Sequence, residues 1–311
     1  MAKISVPKTD RAQGPTALLI PPMEEIAFEE QRILHTFALP FMWALIVWVM
    51  AKKTLFGVKP VTNTFWFDGV SPICRQIKEG AATWQALYLI YNHLFGVYGR
   101  VTDFWLSMRN AQAVRNRKKL VTSVLIYHLL GFPKDENVRI LSLASGSAQS
   151  IVETLKTLKE RGRKAEAVLV DIDHHALNHS AKLAQSHGVE KQITLVELDI
   201  RDLLRPERSL TGTFNVVEMV GWLEYDKDRR VENLLRRVRS LMAKDGVLIT
   251  GTIDKNPERW FLHWVIDWKM IYRSKEALLK LLQKAGFIES DFAIVTEPQG
   301  IFHIAVCRKS L

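Results

Sequence analysis

The chain has 311 residues, 48% of them hydrophobic and 24% charged, which supplies a sizeable core and length for about two domains. Two cysteines, Cys74 and Cys307, exclude a disulfide framework and a cysteine-rich zinc site, and they favour a reducing compartment. The net charge of +10 is uneven, because residues 1–130 hold 15 basic and 8 acidic side chains and so carry +7 of it. A basic amino-terminal half favours an anionic partner, either a phospholipid surface or a nucleic acid.

The amino-terminal region contains one long apolar run. We expect residues 1–30 to form a flexible segment, and residues 33–51 then carry no charge over 19 positions, close to the roughly 20 needed to cross a bilayer. The run lies too far from Met1 to be a cleaved signal peptide. Lys52 and Lys53 follow it and would place the rest of the chain in the cytoplasm, on the inner face of a membrane. Residues 31–59 are therefore either a membrane-inserted helix or a helix packed against protein.

Residues 60–132 are typical of an amphipathic helical cap, because aromatic side chains recur among polar ones and a basic stretch closes the region. The aromatic residues include Trp66, Trp84, Tyr88, Tyr91, Phe95, Tyr98, Phe104 and Trp105. The basic stretch contains Arg115 and Arg117. We expect the aromatic residues to pack as core between the cap and the following domain.

A strand, a loop and a helix follow at residues 140–161. The loop consists of small residues around Gly146, which let backbone N–H groups approach a ligand closely. The next strand ends at Asp171, about 25 positions on, where a carboxylate can accept hydrogen bonds from ribose hydroxyls. This combination predicts a site for an adenosine-bearing cofactor.

The remaining elements alternate between strands and helices. We predict a helix at 175–187, strands at 193–197 and 214–219, a helix at about 231–242, a turn at 244–246 and a strand at 247–250. Such alternation implies a parallel sheet covered on both faces. A helix at 278–285 and two strands around residues 298–300 end the chain, and strands joined by so short a turn must be antiparallel.

A parallel sheet finished by a hairpin resembles the seven-stranded class I methyltransferases that use S-adenosylmethionine. The resemblance covers about residues 138–309 and implies a Rossmann-like domain at residues 133–311, with S-adenosyl-L-methionine as cofactor. It implies Ser142, Ala144, Ser145 and Gly146 for the first loop, Asp171 and Ile172 for the ribose, and Asp199 and Ile200 for the adenine. Residues 79–84 and 110–117 also resemble an uncharacterised group of methyltransferase-like proteins of similar length.

Three positions depart from the family pattern. Ser142 and Asn215 stand where the first and fourth strands often carry an acid, and the loop has fewer glycines than usual. Ser142 can hydrogen-bond but offers no carboxylate to the positively charged cofactor. Alanine and serine still permit close backbone approach unless the loop requires positive φ. A cofactor fold that has lost catalysis therefore stays an alternative.

Candidate site residues surround the expected cofactor. Arg115, or Arg117, would pair with the methionyl carboxylate, because a planar guanidinium suits a bidentate contact. Glu218 is a candidate both for the cofactor site and, with Tyr225 and His263, for the general base, and Glu224 and Asp267 are further candidates for the base. In the insert at residues 254–273, Trp260, Trp264 and Trp268 either line an acceptor pocket or pack on the cap.

The sequence thus predicts a methyltransferase acting on a small-molecule or lipid-like acceptor, with possible membrane association through residues 33–51. No metal site is expected, since the histidines at 174–187 fall on a solvent-facing helix. An RNA methyltransferase is the first alternative, but residues 218–221 lack the signature of amino methylation and make nucleic acid an unlikely partner. A non-catalytic scaffold is the second alternative, a dehydrogenase is weaker still, and the oligomeric state stays open.

Overall fold

The computed structural model describes residues 20–30, 34–57, 64–205, 210 and 212–310, so most of the segment predicted to be flexible lies outside the described residues. The helices are α1 (Leu34–Phe56), α2 (Pro72–Glu79), α3 (Trp84–Tyr91), α4 (Arg100–Leu106), α5 (Arg109–Gly131), α6 (Gln149–Glu160), α7 (His174–Ser186), α8 (Asp228–Leu241), α9 (Arg259–Phe261) and α10 (Lys275–Lys284). The strands are β1 (Val138–Leu143), β2 (Ala165–Asp171), β3 (Ile193–Glu197), β4 (Phe214–Met219), β5 (Met242–Ile253), β6 (Phe292–Thr296) and β7 (Phe302–Arg308).

The seven strands form one sheet in the order β3-β2-β1-β4-β5-β7-β6. The first five are parallel to one another, whereas β7 runs antiparallel to both β5 and β6. The order reverses beside β1, and in open α/β sheets ligands bind at such a switch point, outside the carboxyl ends of the strands. The predicted fold class, a Rossmann-like sheet with a carboxyl-terminal antiparallel hairpin and a helical amino-terminal region, is confirmed.

Hydrophobic cores cover both faces of the sheet because neighbouring strand residues point to opposite faces. Ile140 belongs to the core under α5, α6 and α7, and Leu141 to the core under α8 and α10; both side chains are fully buried. A third core joins the cap to the ends of β5 and β7, and it contains Phe261 and Phe302. This third core places the cap over the carboxyl edge of the sheet.

The prediction that residues 244–246 form a turn before the strand is wrong, because these residues lie inside β5. The strand pairs with β4 at Met242 and again from Val247, and the register shifts in between. Asp245 has a φ of 58°, and its N–H donates to the carbonyl of Lys309, 3.2 Å away. Residues that are typical of a turn can therefore lie at an irregularity inside a strand, and the strand continues past them.

Helix α1 contains the apolar run and lies along the protein. Met42, Ile46 and Val49 are buried in the third core, and Lys53 donates to the carbonyl of Trp264 at 2.8 Å. These contacts recur at helical spacing over eleven residues, or about 16 Å of helix length. The stretch Leu39–Phe56 is nevertheless long and apolar enough to cross a membrane by length and composition, with 22% of its residues buried.

Candidate functional site

The loop after β1 requires the left-handed backbone conformation at three alternate positions. Ala144, Gly146 and Ala148 have φ of 52°, 53° and 48°. Only one of the three is glycine, and an alanine in this conformation costs about 1–2 kcal/mol. The glycine-poor loop therefore keeps the tight path of a phosphate- or nucleoside-binding loop at the expense of backbone strain.

Asp171 at the end of β2 fixes the shape of this loop. Its carboxylate accepts hydrogen bonds from the N–H of Gly146 at 2.8 Å and from the N–H of Asp173 at 2.9 Å. Burial raises the pKa of Asp171, although the two backbone donors oppose that shift. The predicted ribose residue is thus held against the predicted loop.

The residues predicted for the adenine follow the neighbouring strand. Leu198 N–H donates to the carbonyl of Asp171 at 2.9 Å, which puts Asp199 at the same edge of the sheet. The side chain of Asp199 accepts hydrogen bonds from Arg201, which lowers the pKa of the carboxyl group. Ile200 is buried, whereas Ile172 is 60% exposed and leaves an open apolar surface at this end of the site.

A concave site, here called the loop pocket, lies between the loop and the cap. It encloses about 620 Å³, including the part open to solvent. Its lining comprises Trp84, Leu87, Tyr91, Arg117, Lys118, Val121, Ser142, residues 144–151, Glu218, Val220 and Gly221. Among the described residues, the buried Oγ of Ser145 has no hydrogen-bond partner, so it is available to a ligand.

Glu218 supplies the carboxylate that β1 lacks. The Oγ of Ser142 donates to Glu218 Oε2 at 2.6 Å, and the N–H of Val220 donates to Oε1 at 3.1 Å. Burial raises the pKa of Glu218 to about 7, against the opposing effects of these hydrogen bonds and of Arg117. The carboxylate that β1 lacks at position 142 is thus provided by Glu218 on the adjacent strand β4, directly opposite Ser142 in the strand pairing.

Of the two candidate arginines, the structure brings Arg117 to the loop pocket. Its Nη2 donates to the hydroxyl of Tyr91 at 2.8 Å, and its guanidinium lies over the ring of Phe302 at 4.7 Å. Arg115 lies outside the lining: its Nε and Nη2 form two parallel hydrogen bonds with Glu29, and Nη2 also donates to the carbonyl of Leu106. The geometry therefore favours Arg117 for the carboxylate contact that the sequence predicts at Arg115.

A second space, here called the apolar cavity, adjoins the loop pocket. It encloses about 740 Å³, including its open part, and the two spaces share Leu87, Arg117 and Gly221. Most of its lining is aliphatic or aromatic, including Phe67, Trp105, Val114, Phe261, Ile266 and Met270. A molecule in the apolar cavity would thus face a molecule in the loop pocket across a shared wall.

The predicted base residues fall in three different places. Glu218 belongs to the loop pocket, and Tyr225 lines the apolar cavity, where its hydroxyl accepts a hydrogen bond from Trp268 at 2.7 Å. His263 contacts the rings of Trp260 and Trp264 and is not part of either lining. Glu224 also lines the apolar cavity and is 3% exposed.

The tryptophans of the insert divide between the two predicted roles. Trp268 lines the apolar cavity, Trp264 packs against the third core, and Trp260 is 40% exposed. The three tryptophans do not lie on one helical face despite their regular spacing. Helix α9 passes into a π-helix at Leu262–Ile266, and Asp267 then has a φ of 65°. Sequence spacing alone therefore identifies the insert but not which tryptophan reaches the cavity.

Glu258 was missed by the sequence analysis, although it positions the whole of α5. Its carboxylate accepts the N–H of Arg109 at 3.0 Å and that of Asn110 at 2.8 Å, which caps the amino terminus of the helix from 149 residues away. Burial raises the pKa of this carboxyl. No local sequence signal marks such a cap, because helix caps are ordinarily found next to the helix.

Residues 134–286 match the family model of a methyltransferase domain, and no curated protein matches the chain. A possible exported protein from Bordetella parapertussis superposes with a TM-score of 0.67 and 16% identity, over 91% of this chain and 100% of that one. The CurJ carbon methyltransferase superposes with a TM-score of 0.54 and 14% identity, over 89% of this chain and 69% of that one. Magnesium protoporphyrin IX methyltransferase from Synechocystis PCC 6803 with bound SAH superposes with a TM-score of 0.50 and 14% identity, over 64% of this chain and 85% of that one. At these identities the likeness is one of fold.

Proposed function

We propose that the chain is a class I S-adenosylmethionine-dependent methyltransferase, which transfers a methyl group to a small or lipid-like apolar acceptor held in the apolar cavity; the match of residues 134–286 to the family model of a methyltransferase domain supports this. The observation that carries the proposal is the shared wall between the two spaces. Methyl transfer from a sulfonium is an in-line displacement, in which the enzyme contributes chiefly alignment and exclusion of water. Two adjoining sites, one polar and one apolar, provide that alignment.

The residues of the loop pocket fit S-adenosylmethionine. Glu218 places a buried carboxylate beside the guanidinium of Arg117, and Lys118 also lines this pocket. The cofactor carries a sulfonium, an ammonium and a carboxylate, hence a net positive charge, and it supplies an electrophilic methyl group when bound. Glu218 would hold the ammonium, and Arg117 the carboxylate. Asp171 would accept from the ribose.

The apolar cavity selects the acceptor by burial of apolar surface. Aliphatic and aromatic side chains dominate its wall, and transfer of apolar area out of water contributes roughly 25 cal/mol per Å². A polymeric nucleic acid would need a basic surface at this mouth, whereas the cavity wall is mostly apolar, with Arg117 beside the buried Glu224 and Glu258. These observations support an apolar acceptor over RNA.

Calorimetry with S-adenosylhomocysteine tests the cofactor site first, and we expect one site per chain. Incubation with methyl-labelled S-adenosylmethionine and an apolar cell extract, followed by mass spectrometry, then identifies the acceptor. Absence of S-adenosylhomocysteine binding would contradict the proposal. Binding without transfer to any extract component would favour the non-catalytic scaffold.

We also propose that α1 docks on an anionic membrane surface without spanning the bilayer. A spanning helix needs lipid on its flanks, but α1 has protein along one face from Met42 to Lys53. Its other face exposes Val47, Trp48 and Phe56 at 61%, 58% and 76%, and Lys52 lies over the ring of Trp48. Aromatic side chains beside lysines suit the boundary between headgroups and acyl chains.

Vesicle sedimentation tests the docking proposal. We expect the wild type to sediment with vesicles that contain phosphatidylglycerol, and a Trp48→Gln, Phe56→Gln double variant to remain largely in solution. Ile288→Gln is the matched control, because this side chain is 55% exposed on a distant surface. Equal sedimentation of all three proteins, or none by the wild type, would contradict docking through α1.

A further inference from the structure

Glu224 is a buried carboxylate whose second oxygen has no function within the fold. It belongs to the single-turn 3₁₀ helix Leu223–Tyr225 and is 3% exposed. Its Oε1 lies 3.8 Å from Nη1 of Arg117, beyond hydrogen-bond distance, and within the described part of the chain its Oε2 has no hydrogen-bond partner at all. A buried carboxylate oxygen left without a donor costs free energy, so a donor from a bound molecule is the expected partner.

The backbone around Glu224 holds this side chain at the wall of the apolar cavity. The N–H of Ile271 donates to the carbonyl of Glu224 at 2.8 Å, and Arg273 donates to the carbonyls of Leu223 and Asp226 on either side. The guanidinium of Arg273 also pairs with Asp228 at 2.8 Å. The position of Glu224 therefore does not depend on a ligand.

A second acceptor oxygen in the same cavity points to the same ligand chemistry. Among the residues that the structure describes, the Oδ1 of Asn110 is likewise buried without a donor, whereas its Nδ2 is engaged by Asn256 and Glu258. Both oxygens can only accept. An apolar molecule that carries an O–H group satisfies such a site, and the corresponding methyl ether does not.

The other candidates for the general base are already committed. Glu218 lines the loop pocket, where it is assigned to the cofactor ammonium, and neither His263 nor Asp267 is part of the cavity lining. The pKa of Tyr225 is raised, chiefly by loss of water and then by Glu224. Burial also raises the pKa of Glu224, and Arg117 opposes that rise, which favours a carboxylate able to take a proton.

We propose that Glu224 is the general base for O-methylation of an apolar alcohol or phenol. The acceptor O–H donates to Oε2 of Glu224, and its proton moves to that carboxylate as the oxygen lone pair forms the new bond to the methyl carbon. The bond between methyl and sulfur breaks, and its electron pair stays on sulfur. Charge balances, because the sulfonium and the carboxylate are both neutralised. This inference rests on the methyltransferase function proposed above.

The test compares the wild type with Glu224→Gln, which keeps the size of the side chain but cannot take the proton. The probe is 2-naphthol, paired with 2-methoxynaphthalene, which lacks the donor. We expect the wild type to bind 2-naphthol at least tenfold more tightly than the ether, and Glu224→Gln to keep part of that preference, because an amide oxygen still accepts a hydrogen bond. Methyl transfer to acceptors from the extract should fall about 100-fold or more. S-Adenosylhomocysteine affinity should change less than threefold.

Glu190→Gln is the matched control. Glu190 is exposed and directly precedes the edge strand β3, whereas the cavity lies near β5 and β7 toward the other edge of the sheet. Equal affinity of the wild type for 2-naphthol and its ether, absence of 2-naphthol binding, or full activity in Glu224→Gln would overturn the assignment. So would products methylated on nitrogen or carbon. Failure of the wild type to bind S-adenosylhomocysteine would instead refute the methyltransferase proposal itself, so the two failures are distinguishable.

Discussion

At the scale of single residues, the proposed donor site differs from the methyltransferase pattern in the position of one acid. Ser142 stands where β1 often carries an acid, and Glu218 on β4 restores the carboxylate through a 2.6 Å hydrogen bond. The loop keeps its left-handed backbone at Ala144 and Ala148 without glycine. Both departures were visible in the sequence, but the compensation by Glu218 depends on strand pairing and could not be read from it.

Affinity for S-adenosylmethionine should depend on pH through Glu218. The pKa of this carboxyl is about 7, so below that value it becomes neutral and no longer attracts the ammonium. We expect affinity to fall about tenfold per pH unit below pH 7. Calorimetry between pH 5.5 and 7.5 checks this, and Glu218→Gln should bind weakly with little pH dependence. An unchanged slope in that variant would contradict the assignment.

The same carboxyl should affect stability in the opposite direction. Its pKa in the folded chain lies above the ordinary value of 4.5, so the folded protein retains a proton that the unfolded chain loses. The resulting stabilisation is present below about pH 4.5 and is lost as the pH rises to about 7. Without cofactor, Glu218→Gln should therefore melt above the wild type at pH 8, and this advantage should shrink at pH 5. Thermal unfolding measures both.

Ala144→Gly should stabilise the protein by about 0.5–1 kcal/mol, since relief of the left-handed strain exceeds the extra entropy of glycine in the unfolded chain. Chemical denaturation measures this change. Ala181→Gly, in the interior of α7, is the control and should destabilise by about 1 kcal/mol. Destabilisation by both substitutions would show that the loop conformation does not carry the inferred strain.

At the scale of elements, long-range contacts decide how α5 presents Arg117. Glu258 caps the helix from the insert, and Glu29 binds Arg115, two residues before Arg117. The strands and helices of the sheet were predictable, because apolar periodicity is local. The partners of Glu29 and Glu258 lie 86 and 149 residues away, so no local pattern could reveal them.

Glu29→Ala tests whether Arg115 is structural. Removal of this partner leaves a buried guanidinium with its main acceptor lost, so we expect destabilisation of about 2 kcal/mol. Affinity for S-adenosylhomocysteine should remain within a few-fold. Glu30→Ala is the neighbouring control, because that side chain is exposed. Unfolding in urea and calorimetry measure the two quantities, and a large loss of affinity with intact stability would return Arg115 to the cofactor site.

At the scale of the whole molecule, the cap and the sheet each build half of the loop pocket. Trp84 and Tyr91 come from α3, and Asn92 exchanges hydrogen bonds with Gln149 at the start of α6. The sequence indicated a cap with an arginine at the cofactor loop, but not that Trp84, Tyr91 and Asn92 of the cap make the contact. Their meeting depends on the third core, whose members are spread from Met42 to Phe302.

Cofactor binding should therefore protect the cap as well as the loop. With S-adenosylhomocysteine at about 100 times its dissociation constant, stability should rise by about 2.7 kcal/mol. Hydrogen exchange should slow at residues 84–92 together with 144–151, while α10 on the far face serves as the internal control. Protection confined to residues 144–151 would contradict a site completed by the cap.

The ring of Phe302 supports the guanidinium of Arg117, and β7 is the last strand of the chain. A ribosome that stalled before residue 302 would leave every part of the family-matched span, 134–286, already synthesised. Such a nascent product would still lack the ring of Phe302 that packs against the guanidinium of Arg117. Truncation before residue 302 should therefore weaken binding of S-adenosylhomocysteine, because Arg117 would lose this contact.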